Sequence, residues 1–228
     1  INLRLSYSSG FRAPQAFDED MHIENVGGTV AMIERAKDLK EEKSQSFSVS
    51  ADMYHRFGAF QTNLLIEGFY TRLTDVFVLG KPYDRGDGIL VKTRSNGPGA
   101  KVMGLTLEGK VAYLSILQIQ AGLTLQRSRY DEPHKWHDDV PAKRTIFRTP
   151  NVYGYFTATY IPIKPLSIAL SGTYTGSMFV QRMDITAENA AMGDMPERKA
   201  EAVKTPKFLD LGVKLAYDFK LYKTVDLQ

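Results

Sequence analysis

The sequence predicts an all-β protein: an antiparallel up-and-down transmembrane β-barrel fragment, about eight to nine strands of a larger barrel, with long outer loops and short turns. Three observations predict it. Apolar and polar residues alternate with a period of two through most of the 228 residues. The alternating segments run about 12–15 residues, against roughly 5–6 for a typical soluble strand. The connections between them are alternately short and long, as in a barrel with tight turns on one side of a membrane and long loops on the other.

The alternation can be followed along the chain. Leu3, Leu5 and Tyr7 oppose Asn2, Arg4 and Ser6 at the start. Phe47, Val49, Ala51 and Met53 oppose Ser46, Ser48, Ser50 and Asp52, and Phe60, Leu64, Ile66 and Tyr70 oppose Gln61, Asn63 and Glu67. The same pattern sets Met103, Leu105, Leu107, Val111 and Tyr113 against Thr106, Glu108 and Lys110, and Leu117, Ile119, Ala121, Leu123 and Leu125 against Gln118, Gln120, Thr124 and Gln126. Residues 166–178 and 209–219 repeat it, while 151–161 is strand-like with aromatics on both faces. Successive strand side chains point to opposite faces, so each segment has one apolar and one polar face.

Tight turns are predicted at Phe57-Gly58-Ala59, near Ser115, at Ile163-Lys164-Pro165 and over 221–223. The long segments are 9–43, 74–99, 129–149 and 179–205. Such loops exceed what compact soluble domains normally carry. Helix is expected only as a short piece in 29–43 and a turn or two in 186–202, which is rich in Ala, Glu and Met. Tyr7, Tyr54, Tyr70, Tyr113, Tyr153, Tyr160 and Tyr217 lie near strand ends, where an interfacial aromatic girdle belongs. Eight strands are counted, plus the start of a ninth at 224–228.

Composition removes other classes. A net charge of +3 with no Lys/Arg run does not point to nucleic acid. The absence of cysteine excludes disulfides, thiolate metal sites and a Cys nucleophile. No run of about 18 apolar residues offers a spanning helix. There is no nucleophile elbow, P-loop, dinucleotide fingerprint or zincin motif, so no enzyme is expected. Asn96-Gly97-Pro98-Gly99 reads as a turn before a strand. Both ends of the chain are read as cuts in a longer protein.

One stretch is more specific. Ser8-Ser9-Gly10-Phe11-Arg12-Ala13-Pro14-Gln15 follows the first strand and leads through Phe17-Asp18-Glu19-Asp20 to Asp38-Leu39-Lys40-Glu41-Glu42-Lys43-Ser44 and the next strand. This resembles the barrel of TonB-dependent receptors, in which SxGFRAPQ followed by LxPExS marks an outer loop and the strand after it, in the style of receptors from Bacteroidetes-type bacteria. The Asn-Pro and second Pro of the family's second box are absent here. The resemblance implies a 22-stranded barrel filled by a plug domain, with residues 1–228 a partial barrel lacking the plug and the final strands. It implies active import of a scarce nutrient (an iron-siderophore, haem or cobalamin) powered through TonB. The implied partners are outer-membrane lipid, the plug of the same parent chain, TonB through that plug, and a small nutrient ligand of the metal-chelate class. No cofactor is implied. A passive porin or adhesin barrel, or a soluble secreted β-protein, is the alternative.

The candidate ligand-proximal residues are Phe11, Arg12, Pro14, His22 and Trp136. Against the functional reading of Phe11-Arg12-Ala13-Pro14 stands a structural one: Pro14 fixes φ and Arg12 pairs with a lumen carboxylate. His22, between the two boxes, is a candidate axial haem ligand or a solvated loop residue. No metal site is expected, with His134 and His137 the weak candidates because imidazoles near carboxylates suit a divalent ion. Asp18, Glu19, Asp20 and Glu24 form an acidic stretch without EF-hand spacing, read as a solvated loop.

Overall fold

The computed structural model describes residues 1–14, 31–80, 83–86, 90–135, 140–185, 198–222 and 225–227. They form β1 (Asn2–Arg12), β2 (Ala31–Arg35), β3 (Glu42–Phe57), β4 (Phe60–Thr74), β5 (Phe77–Leu79), β6 (Tyr83–Asp84), β7 (Leu90–Asn96), β8 (Ala100–Tyr113) and β9 (Leu117–His134). There follow β10 (Lys143–Thr145), β11 (Val152–Ile163), β12 (Leu166–Thr175), β13 (Phe179–Ile185), β14 (Arg198–Lys204), β15 (Phe208–Tyr217), β16 (Phe219–Tyr222) and β17 (Val225–Leu227). Strands are the only regular elements among the described residues.

Eight strands make the wall, in the order β1-β3-β4-β8-β9-β11-β12-β15, each antiparallel to its neighbour in the chain. β10 adds to the outer end of β9. Tight turns join the strands at one end. Gly58 takes a left-handed φ of +58° there, which a residue without Cβ adopts cheaply, and the Leu114–Ile116 turn closes with Leu114 at φ +48°. Of the turn expected over 221–223, residues 221–222 belong instead to β16, which continues to Tyr222 and pairs with β17, and Lys223 lies outside the described residues.

The faces are inverted relative to a soluble sheet. Leu105, Leu107, Ile119, Leu123, Leu125 and Leu170 are exposed, whereas Asp52, Thr124 and Ser128 are buried. Large exposed apolar area is the informative observation, since a protein in water would cover it. Register makes the two faces continuous. Leu5, Val49, Gly68, Leu105 and Leu125 form one outward row, and Ser6–Ser48 (2.6 Å), Ser46–Thr71 (2.8 Å) and Thr106–Thr124 (3.0 Å) pair hydroxyls on the polar side.

Aromatic rows bound the apolar belt. Near the turns, Phe57, Phe60 and Tyr113 are register neighbours, with ring centroids 5.5 and 4.8 Å apart. Toward the long loops, Tyr7, Phe47 and Tyr70 repeat the arrangement, Tyr7 and Phe47 lying 4.7 Å apart. About ten residues separate the rows on each strand. At roughly 3.3 Å per residue and a tilt near 40° that is about 25 Å, the height of a membrane barrel's apolar band. Two expected girdle members are misplaced: the register puts Tyr54 opposite Asn63 and Tyr153 opposite Thr124, on the polar face.

The aromatics on both faces of β11 have a packing reason. Tyr155 lies over Gly122 on the polar face and Phe156 over Gly172 on the apolar one, each directly across the ladder, so each ring fills space that a Cβ would need.

The long connections are more ordered than the sequence predicts. β1 runs on to Arg12, β9 to His134, and β13 and β14 pair as an extension of the β12–β15 hairpin. The short helix expected in 29–43 is instead β2, parallel to β7. A free strand from the neighbouring loop offers this segment a complete ladder, and such a tertiary partner outweighs weak local helix propensity. Of the helix expected over 186–202, residues 186–197 lie outside the described residues and 198–202 belong to β14. β2, β7, β5 and β6 form a small sheet that ties the first two loops together. Asn96 fastens it: its amide nitrogen donates to the Lys40 and Asp75 carbonyls (3.0 and 2.8 Å), and its oxygen accepts from Lys40 N–H at 2.8 Å. The Asn96-Gly97-Pro98-Gly99 turn is therefore also a clamp between loops.

Candidate functional site at the long-loop mouth

The outward face of β9 reads Leu117, Ile119, Ala121, Leu123, Leu125, then Arg127, Arg129, Asp131. The hydrocarbon belt on this strand therefore ends near Leu125, because charge on a lipid-facing position is costly away from the interface. Everything beyond belongs to a mouth outside the membrane, and two groups of polar-face residues meet there.

The first group centres on the Phe11-Arg12-Ala13-Pro14 segment. Phe11 and Arg12 are the last two residues of β1, so they sit at the mouth of the first long connection rather than within it. Arg12 faces Glu42 across the ladder and pairs with it at 3.3 Å. The Arg12 guanidinium lies 4.7 Å from the centre of the Phe77 ring, a cation–π contact, and Glu42 also accepts from Phe77 N–H at 2.9 Å. Arg12 is thus held by an acid and a ring, the structural reading of this residue. Pro14 comes two residues after the strand end, where its missing N–H costs the ladder nothing. Phe11 points to the opposite, outward side and is exposed.

The second group lines a cleft of about 230 Å³ formed by Tyr130, His134, Lys143, Phe147, Arg148 and Gln181 with Thr145 and Ile146. Lys143 Nζ sits 4.1 Å from the Phe179 ring centre, and the Tyr130 and His134 rings meet at a tilt, centroids 5.4 Å apart. Arg148 adopts φ +59°, a strained value for a non-glycine residue, and its N–H donates to the Phe179 carbonyl at 2.8 Å. Burial raises the Tyr130 phenol pKa, with a smaller push from the Glu42 carboxylate. The ladder row Ser44–Leu73–Ala100–Tyr130 puts the two groups at one mouth. Burial also lowers the His134 pKa below its ordinary value, favouring neutral imidazole.

The sequence-derived candidates are divided by this arrangement. Arg12 and His134 are at the mouth and Phe11 is turned outward. His22, Trp136 and His137 lie outside the described residues, as do Asp18, Glu19, Asp20 and Glu24. Glu42, Phe77, Lys143, Arg148 and Phe179 were missed. Glu42 stands 30 residues from Arg12, and only the ladder register brings the pair together. Its sequence signals were its place in the second family box, Asp38–Ser44, and an alternating polar position at the strand start.

With this geometry in place, comparison with known proteins decides the class. The family model described as "TonB dependent receptor-like, beta-barrel" matches residues 1–228. The chain belongs to the TonB-dependent receptor β-barrel family. No curated protein matches it in sequence. Among solved structures it is similar to the FrpB iron transporter from Neisseria meningitidis (F3-3 variant), at 16% identity and TM-score 0.59 over 96% of this chain and 30% of that one. It is also similar to the ferric-catecholate import receptor Fiu from E. coli K12, at 14% identity and TM-score 0.59 over 98% and 27%. The pyoverdine outer-membrane receptor FpvA from Pseudomonas aeruginosa matches at 13% identity and TM-score 0.60 over 98% and 28%. The chain therefore spans about three-tenths of the length of these proteins. TonB-dependent receptors are outer-membrane transport proteins, not an enzyme family, and the exposed apolar belt of this chain is its lipid-facing surface.

Proposed function

We propose that this chain is part of the wall and outer mouth of a receptor that imports a scarce nutrient by TonB-coupled transport, its plug and remaining strands contributed by the rest of a larger barrel. The observation that supports this reading best is the polar mouth above a lipid belt, in a chain whose whole length matches the receptor barrel family. The cleft chemistry favours an anionic, aromatic metal chelate over a neutral sugar. Lys143 and Arg148 supply positive charge, and Tyr130 and Phe147 supply ring faces. Iron-siderophore, haem and cobalamin remain the cargo classes, with Arg12, Pro14, His22 and Trp136 the candidate ligand-proximal residues.

Uptake by cells expressing the complete protein tests this reading. Labelled ferric siderophore, haem or cobalamin should accumulate in energised cells, and accumulation should stop when the proton-motive force is dissipated or TonB is deleted. Uptake that proceeds unchanged without TonB would instead identify a passive porin.

A further inference from the structure

We propose that the outward face of β4, β8 and β9 binds the phosphate groups of an outer-leaflet lipid through a cationic step made of Arg72, Lys101, Arg127 and Arg129. Register builds the step. Arg72 pairs with Lys101 and Lys101 with Arg129, so three cations lie side by side across three adjacent strands. Arg127 sits beneath them, opposite Met103. All share the parity of the lipid-facing residues, so they point away from the lumen and from any cargo. With Lys43, also on this face at the long-loop end, they are the Lys and Arg residues on the outward face of the eight wall strands.

Like charges directly across a ladder are destabilising. Asp131 relieves one, contacting Lys101 Nζ at 2.7 Å. Among the described residues no carboxylate lies within ion-pair distance of Arg72, Arg127 or Arg129, and all three are exposed. The height fits a headgroup. Arg127 lies in the aromatic row with Tyr70 and Met103, the other three cations lie one outward row beyond it, and immediately below Leu105, Leu107, Leu123 and Leu125 present an apolar surface for acyl chains. A phosphate-bearing amphiphile satisfies both halves at once: charge-assisted hydrogen bonds from guanidinium groups and burial of chains on the belt. A free anion satisfies only one.

The test uses the complete protein in a non-ionic detergent at low salt, titrated with bisphosphorylated lipid A and followed by native mass spectrometry. Binding should weaken about fivefold for each cation removed in Arg72→Gln, Arg127→Gln and Arg129→Gln, on the scale of roughly 1 kcal/mol per basic group at an anionic lipid surface. The lumen-facing controls Lys110→Gln and Lys214→Gln should leave it unchanged, and Arg129→Lys should retain most of it. Lipid A stripped of its phosphates should bind at least tenfold more weakly to the unmutated protein, an arm that decides the matter even if a multiple variant fails to fold. Equal binding of the stripped lipid, or unchanged affinity in the triple variant, would overturn the proposal. Full displacement of lipid by equimolar inorganic phosphate would overturn it too, leaving only a simple anion site.

Discussion

The two ends of the same eight strands are built by different rules. At the turn end, Phe57, Phe60 and Tyr113 lie side by side in one register row and the connections are short, so the strand ladder and its hairpins set the arrangement. At the loop end, ring rows give way to charge. Arg12 meets Glu42, Lys101 meets Asp131, and Asn96 ties one loop to another. The lesson is that a membrane barrel needs little from its inner end beyond closure of the ladder and an interfacial girdle. At the outer end the chain must organise long segments in water, and it does so with contacts between residues far apart in sequence.

The comparison can be broken most strongly by moving charge from the loop end into the belt. Leu107 pairs with Ile66 and Leu123 at mid-height on the outward face. In the complete protein folded into lipid vesicles, Leu107→Arg should cost about 2–4 kcal/mol in guanidinium titration, whereas Thr74→Arg at the loop end should cost about 0–1. Equal costs would mean the belt does not lie in hydrocarbon.

A second contrast sets two glycines against each other. A Cβ on Gly99 would stand 2.8 Å from the Leu73 carbonyl oxygen and 2.7 Å from Asp131 Oδ2. Gly99→Val is therefore an overpacking change, expected to cost about 1–3 kcal/mol in the same titration. Gly58 at the turn end has open space and only its φ of +58° to defend, so Gly58→Ala should cost about 1 kcal/mol.

Removing the loop clamp should act locally. Asn96→Ala leaves the Lys40 N–H and two carbonyls without their partner, worth about 1–3 kcal/mol in the loop sheet. Hydrogen exchange should accelerate in residues 36–41 and 75–80 while the amides of β4 and β8 stay protected.

The smallest effect is a pH dependence at the mouth. The His134 pKa is lowered in the folded protein by burial, so the unfolded chain binds its proton more readily. The contribution of neutral His134 is fully present above its ordinary pKa of 6.5 and is lost as pH falls below it. Faster exchange around β9–β10 below pH 6.5 should appear, and His134→Gln should abolish that dependence. An unchanged profile in the variant would assign it to another group.

Much of this architecture was legible in the residue order. Period-two alternation assigned Leu105 and Leu125 to one face and Thr106 and Thr124 to the other before any pairing was known. It works because a strand has no choice about which side successive side chains take. The same rule could not say that Tyr54 and Tyr153 face inward, since a tyrosine is at home at an interface or against a polar lumen. Nor could it find β2, whose ladder partner β7 lies more than 50 residues away, or the Arg12–Glu42–Phe77 cluster. The sequence by itself determined that the chain is a membrane barrel wall, which strands compose it and at which end its loops lie. Those are consequences of local periodicity and of spacing along the chain. Only the tertiary structure decided how the loops lock together, which charges meet at the mouth and which stand in a row against the lipid, because each depends on the register between strands that sequence distance alone does not fix.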